Sequence, residues 1–403
     1  METSIEGRAS WTVVLAALAV LTVAMGAPLV AVVALKPIAA DLGTPRSIPA
    51  LAGSAAYLGS GLGGILMGWL AERLGPRRVA AFGAVMVSAG LALSAGGQAW
   101  QLLVGHGVLM GFLGLSCLFA PLITLVSRWF DRRRGTALAL VSSGQYMAGV
   151  IWPTAFEYAV GRVGWQTAMA GFGVLVATLV LPLTLLLRAP PAPTAAQAAA
   201  EPRAGSRVLG LTPNVALLAI CAAVFLCCIP MAMPQGHLVA FCSDLGFLPS
   251  RGAAMLSVML AAAFISRQFW GWLADRIGGL RCVLAASACQ AAALAGFLAT
   301  QDEAGLFAVS AAFGLGFSGI VPAYVLAIRE LFPAQEAGWR VAVLLLMGQG
   351  GMAAGGWLAG AIYDGAAAYA PAFAVGVVFN LANLVLLGVL VLRQPGQPRL
   401  MAA

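Results

Sequence analysis

The chain has 403 residues, of which 61% are hydrophobic and only 9% charged. A soluble domain carries nearer 25% charge, so a water-soluble enzyme with an apolar core is excluded and a polytopic membrane protein is indicated. The net charge of +8 does not mark nucleic-acid binding, because the basic residues lie in short loops between apolar runs and form no cluster interleaved with aromatics.

The first ten residues are polar, with Glu2, Glu6 and Arg8. The run from Trp11 to Leu35 is too long for a signal-peptide core and reads as a retained first span. A span needs about 20 apolar residues, and twelve candidates follow in order. The first six are 11–35, 48–71, 78–97, 100–126, 135–160 and 165–187. The second six are 211–240, 251–273, 281–300, 303–328, 338–362 and 369–392. Between the sixes lies a stretch rich in Ala and Pro with Arg203 and Arg207, which reads as a flexible cytoplasmic linker. The expected division is therefore an N-terminal bundle over 1–188, a linker over 189–210 and a C-terminal bundle over 211–403. Seven cysteines fall mostly inside apolar stretches and none forms C-x-x-C, so no metal or redox site is expected.

With the N-terminus inside, 17 Lys and Arg fall on inner segments and only Lys36, Arg46, Arg162 and Arg251 on outer ones. This bias places both termini on the cytoplasmic side of a cell membrane. An odd number of spans would scramble the alternation, so it also supports the count of twelve.

The two halves repeat. Gly68-Trp69-Leu70-Ala71-Glu72-Arg73-Leu74-Gly75 matches Gly271-Trp272-Leu273-Ala274-Asp275-Arg276-Ile277-Gly278 at an offset of 203. Gly144-Gln145 matches Gly348-Gln349 at 204, and Pro121 to Arg128 parallels Pro322 to Arg329 at 201. Three registrations at nearly one offset imply an all-α membrane protein built as two pseudo-symmetric six-helix bundles. Such bundles are related by an axis along the membrane normal, with a binding site between them near the midplane. One bundle rocking against the other would give alternating access.

One side chain stands out against this background. Arg267 lies in the run Ala253 to Trp270, which holds no other charge. Insertion scales put a mid-helix Arg at a cost of roughly 2.5–3.5 kcal/mol, and such residues line a bundle interior or a wet path and pair with an anion. Arg267 precedes Asp275, at the inner surface, by eight residues, about 12 Å along a helix and close to the bilayer centre. The matching position in the first half is Gly64, so the halves differ in charge where a cargo would sit. A planar fork of donors suits a carboxylate. The competing reading pairs Arg267 internally, with a helix carbonyl or with Glu157.

The loop Gly68-x-x-x-Glu72-Arg73-x-Gly75-x-Arg77-Arg78 resembles the signature loop of the major facilitator superfamily, and the likeness covers nearly the whole chain. That resemblance implies a gating role for Glu72, Arg73, Arg77 and Arg78, with Asp275 and Arg276 in the second copy. In the family these residues form a charge relay between the bundles that steadies the outward-open state; Glu72 stands where Asp is usual. Three further segments look like the monocarboxylate porter and oxalate/formate antiporter group: Arg128 to Gly135, Gly164-Trp165-Gln166, and Gln235-Gly236-His237-Leu238-Val239. The spacing Arg267-x-x-x-Gly271 also fits, and in that group the Arg of the eighth span binds the substrate carboxylate. Two departures matter. Ala263 stands where proton-coupled porters carry an Asp, and Gly348 to Gly360 lacks the second cation of the oxalate exchanger. One buried cation favours a monoanion.

Polar residues at matching depths are candidates to line the path: Gln145, Tyr146, Tyr324 and Gln349. Each could equally stitch helices together. Glu157 and His237 are the candidates for proton linkage, His237 being expected at the outer rim, and His106 is read as structural. No P-loop pattern is present, which argues against direct drive by ATP. The sequence therefore points to a secondary transporter of a small organic anion, a monocarboxylate by preference, working by symport, exchange or uniport, with a proton or counter-anion as partner where transport is coupled. The family typically acts as a monomer, and no cofactor is expected. The alternative is an efflux pump for drugs or other lipophilic compounds. Its Gly-Pro-x-x-Gly-Gly motif is missing here, the stretch reading Gly144-Gln145-Tyr146-Met147-Ala148-Gly149. A membrane enzyme is disfavoured, because no Ser/His/Asp set, His-rich metal pattern or pair of acids lies in the spans.

Overall fold

The computed structural model describes residues 6–130, 133–188 and 208–394, with the side chains of residues 134, 135, 334 and 335 left aside. Most of the expected linker, and Asp131 and Arg132, lie outside the described residues. Among the described residues, eleven helices are long and apolar enough to cross a membrane. One of them, Thr136–Thr184, is two spans joined at Gly164, whose φ of 78° and ψ of 163° break the helix. Twelve spanning helices result, in chain order: α1 Arg8–Val33, α2 Ser47–Leu74, α3 Pro76–Ser94, α4 Ala99–Ser127, α5 136–163, α6 165–184, α7 Pro213–Asp244, α8 Pro249–Ile277, α9 Gly279–Ala299, α10 Glu303–Leu331, α11 Glu336–Ala366 and α12 Ala370–Leu392. Only helices satisfy every backbone group inside hydrocarbon within one segment, which is why apolar runs of this length take no other form. Twelve crossings return the chain to its starting side, here called the terminal face; the opposite side is the far face.

Where helices bend, side chains take over the freed backbone groups. In α1 the helix breaks at Met25 and Gly26. There Gly26 N–H turns to the Val23 carbonyl, and Trp152 Nε1 donates to the Thr22 carbonyl left over, at 2.8 Å. In α4 the turns widen to a π-helix over Gly105–Leu115. Two glycines of α2 lie against this stretch: a Cβ on Gly59 would strike the Gly107 carbonyl, and one on Gly63 the Phe112 carbonyl. At the end of the expected linker, Val208 and Leu211 exchange backbone bonds of 3.0 and 2.9 Å around Leu209 and Gly210, so those residues form a tight turn rather than flexible chain.

The repeat is visible as geometry. Gly75 and Gly278, at the corners α2–α3 and α8–α9, both have positive φ, 87° and 84°. Arg73 lies over the Trp69 ring at 4.0 Å and Arg276 over Trp272 at 4.1 Å. On the far face Gly43 and Gly246 both turn with positive φ, and Gly164 matches Ala367, whose φ is 53°.

The halves meet as a wedge closed at the far face. Along α2 and α11, Gly360 meets Ala50 and Ser47, Gly356 meets Ser54, and Gly61 meets Gln349. Nearer the terminal face, a Cβ on Gly64 or Gly68 would find open space. Along α5 and α8, Gly149 packs against Leu260. Among the described residues, every ion pair between the halves lies on the far face.

Candidate functional site

α8 enters from the far face at Pro249 and carries Arg267 past the midplane, where α8 meets α5 across the join between halves. The guanidinium of Arg267 stands over the ring of Tyr146, 5.2 Å from its centre. Tyr146 is 8% exposed and packs edge-on against Phe317 of α10 at 6.1 Å. A ring face attracts a cation but offers no lone pair for the strong, directed N–H bonds that a guanidinium makes to oxygen. Among the described residues Arg267 has no ion pair and no hydrogen bond, and Glu157 is not its partner. The donor fork is therefore unspent at the interface of the halves.

The other expected path residues fare differently. Gln349 Nε2 donates to Ser60 Oγ at 3.1 Å, so it ties α11 to α2. Gln145 is half-buried on α5 and makes no hydrogen bond among the described residues. Tyr324 is a correction. It is fully buried inside the second half and donates its phenol proton to Asn383 Oδ1 at 3.2 Å. Asn383 in turn donates to Ser287 Oγ at 2.7 Å. A phenol in a span needs an acceptor, and α12 supplies it, leaving Tyr324 away from the join. Glu157 is half-buried and makes no ion pair among the described residues. His106 sits in the first half with Nδ1 against Ser94 Oγ at 2.9 Å and the Leu102 carbonyl at 3.1 Å.

His237 is the second correction. It is not at a rim but 1% exposed. Its Nε2 lies 2.8 Å from the Gly356 carbonyl and its Nδ1 3.1 Å from the Tyr369 hydroxyl. A carbonyl only accepts, so Nε2 carries the proton and Nδ1 accepts from Tyr369. Tyr369 receives Arg46 Nη1 at 3.3 Å. Arg46 also pairs with Asp244 and stands over the Tyr363 ring at 3.8 Å. Lys36 joins the same carboxylate at 2.8 Å, and Asp364 accepts the backbone N–H groups of Arg46 and Ser47 at 2.8 and 2.9 Å. Residues of the α1–α2 connection and the start of α2 thus clasp residues of α7, α11 and the α11–α12 corner. Burial pulls the Arg46 pKa down, but the bonds to Asp244 and Tyr369 outweigh it and leave it raised.

On the terminal face the loop residues bind within their own half. Arg128 Nη2 meets Glu72 Oε1 at 3.1 Å, both side chains at least half exposed. Arg73 and Arg276 cover their own tryptophans. Asp275, Arg77 and Arg78 have no ion pair among the described residues. The charge relay expected between bundles is not formed in this state, because the halves part on that side.

The model of the Major Facilitator Superfamily matches residues 12–300 and 215–400. The chain belongs to the Major Facilitator Superfamily. Solved structures agree in fold: a peptide transporter, POT, in complex with alafosfalin superposes with a TM-score of 0.75 at 15% identity, covering 96% of each chain. A bacterial homologue of the human lysosomal transporter Spinster, inward-facing and unoccupied, gives 0.69 at 15% identity, again over 96% of each chain. Among curated relatives, MFS-type transporter 1 of an Ophiocordyceps species is 26% identical over 69% of this chain and 61% of its own length. The agnestins efflux protein AgnL12 of Paecilomyces divaricatus is 26% identical over 64% and 58%. Monocarboxylate transporter 13 of Rattus norvegicus is 27% identical over 78% and 73%. The chain thus spans about three fifths of the length of the first two relatives.

Sequence reading of this Major Facilitator chain missed the far-face clasp. Lys36 and Arg46 registered only as sparse outer charges. The repeat held a signal: Asp244 is the counterpart of Asp41 at the offset of 203. Asp41 stays within its half, accepting from Trp165 Nε1 at 2.8 Å and Gln166 Nε2 at 3.3 Å. Asp244 reaches across instead. Also missed was a cavity of about 50 Å³ on the far side of Arg267, lined by both halves, including Ser54, Tyr57, Gln235 and His237.

Proposed function

We propose that this chain is a secondary transporter of a small organic monoanion, with Arg267 as the group that receives the carboxylate. The observation that carries the reading is a guanidinium near the midplane, at the join of the halves, with a ring beneath it and no ion pair among the described residues. Leaving such a charge uncompensated is costly, and a carboxylate cargo compensates it with two bonds. Tyr146 shapes the site, and Gln145 and Gln349 stand within one turn of the same depth; Gln349 becomes available when α2 and α11 separate. The rat relative named as a monocarboxylate transporter supports the class. The terminal face is assigned to the cytoplasm of a cell membrane by its excess of basic residues, so the wedge is open inward. The terminal-face residues Glu72, Arg73, Arg77, Arg78, Asp275 and Arg276 take up the gating relay when that side closes. The division 1–188, 189–210 and 211–403 follows the repeat, and the unit of function is a monomer. Of the two titratable candidates, His237 is the better proton carrier, since it joins the far-face clasp to α11, whereas Glu157 makes no ion pair among the described residues.

The test is binding and uptake with purified protein. A panel of carboxylates, including lactate, pyruvate and aromatic acids, should raise the thermal midpoint of the parent and not of Arg267→Gln. Wild-type uptake by Arg267→Gln into proteoliposomes would sink the reading. A second reading, export of lipophilic compounds, draws on relatives named as agnestins and fujikurins efflux proteins. Resistance of an overexpressing strain to lipophilic compounds, independent of Arg267, would select it.

A further inference from the structure

The cavity between Arg267 and the far face holds two polar groups with no hydrogen-bond partner among the described residues. Ser54 Oγ of α2 is buried, its residue only 4% exposed, and has no partner among the described residues. Gln235 Nε2 of α7 is likewise buried and unpartnered. Both line the same cavity, one from each half. Buried polar groups are nearly always bonded, and an orphan calls for an explanation. Two orphans facing one space from opposite halves call for one ligand or one water between them. The His237 ring on the same wall is already spent on Gly356 and Tyr369.

Depth links this space to the cation. Leu260, on the cavity wall, precedes Arg267 by seven residues, two turns of α8 or about 10 Å. Rings flank this stretch: Tyr57 lines the cavity, and Arg267 covers the ring of Tyr146. We propose that Ser54 and Gln235 form a specificity subsite for a neutral polar group at the end of the cargo remote from its carboxylate. The cargo class is then a monocarboxylic acid with a flat apolar middle and a terminal hydroxyl or carbonyl, of which a para-hydroxylated arylacetic acid is the simplest. A hydroxyl there accepts from the Gln235 amide and donates to Ser54. The inference rests on Arg267 as the carboxylate receptor.

The experiment compares 4-hydroxyphenylacetate with phenylacetate on the purified full chain, by calorimetry. The parent should bind the hydroxylated acid about tenfold more tightly, the worth of a good buried hydrogen bond. In Ser54→Ala and Gln235→Met the ratio should fall toward one. Gly356→Ala, whose new methyl would press on Ser54 Oγ at 2.9 Å, should reduce the ratio by a different route and serves if one variant folds poorly. A ratio near one in the parent overturns the inference and leaves the Arg267 reading standing, with ordered water as the partner of the two groups. An unchanged tenfold ratio in both variants overturns it as well. If neither aryl acid binds while shorter carboxylates do so through Arg267, the subsite fails alone. If no carboxylate responds to Arg267→Gln, the underlying reading fails first.

Discussion

At the scale of single residues, Arg267 and Tyr146 form the unit on which transport would turn. The guanidinium offers five donors in a fixed plane, whereas lysine offers a compact ammonium. Arg267→Lys keeps the charge but loses the two-point fit, so carboxylate affinity should fall about tenfold, an intermediate effect between parent and Arg267→Gln, read by calorimetry. Tyr146 contributes its face, not its hydroxyl. Tyr146→Phe should therefore retain binding, while Tyr146→Ala should weaken it by roughly 1–2 kcal/mol, the range of a partly desolvated cation–ring contact. Equal losses in both variants would show that the phenol oxygen, and not the ring, matters. His237 belongs to the same scale. Its bonds to Tyr369 and Gly356 tie it to the clasp, so His237→Gln should abolish acceleration of uptake by an inward proton gradient, whereas Glu157→Gln should leave that acceleration intact.

At the scale of helices, glycine sets how closely neighbours approach. Gly59 and Gly63 place the backbone of α2 against carbonyls of the widened turn in α4, and Gly355 lies against the Ile229 carbonyl of α7. No flexible side chain is there to yield, so Gly63→Val or Gly355→Val should each cost roughly 1–3 kcal/mol by overpacking. A lowered midpoint in detergent would register it. The corners of the repeat make an opposed pair. Gly164 at φ 78°, ψ 163° occupies a region open only to glycine, so Gly164→Ala should cost roughly 1–3 kcal/mol. Its counterpart Ala367, at φ 53°, is the residue under strain, and Ala367→Gly should raise the midpoint slightly.

At the scale of the whole molecule, two halves built on one repeated plan differ at matching places. The corner acid of the first half is held at home by Trp165 and Gln166, while the corner acid of the second, Asp244, is held by Lys36 and Arg46 of the other half. That asymmetry ties the halves together at the far face. Asp244→Asn should shift the population toward the far-face-open form, seen as faster labelling of a cysteine placed at Gly53 on the cavity wall. Conversely, a Cβ at Gly360 would stand 3.0 Å from that of Ala50, near the separation a disulfide spans. Ala50→Cys with Gly360→Cys should therefore stop transport on oxidation and restore it on reduction. Transport unaffected by the cross-link would exclude rocking of the halves at this face.

Long apolar runs and an internal repeat decide the number of spans and the two-bundle plan before any packing is known, and alternating basic loops set the expected direction. These are one-dimensional properties: the bilayer sets helix length and loop charge sets orientation, each readable residue by residue. The lone charge in the eighth span was legible for the same reason, since a guanidinium in hydrocarbon is conspicuous wherever it lies. Which polar residues face the join was not. Tyr324 and Gln349 sit at suitable depths, yet one turns to Asn383 inside its own half and the other to Ser60 across it. Depth follows from position along a helix, but azimuth follows from neighbours that lie hundreds of residues away. The clasp of Arg46, Asp244, Asp364 and Tyr369 and the two orphaned groups above Arg267 have that origin too. They exist only when particular ends of four helices are brought together, and tertiary packing alone decides that.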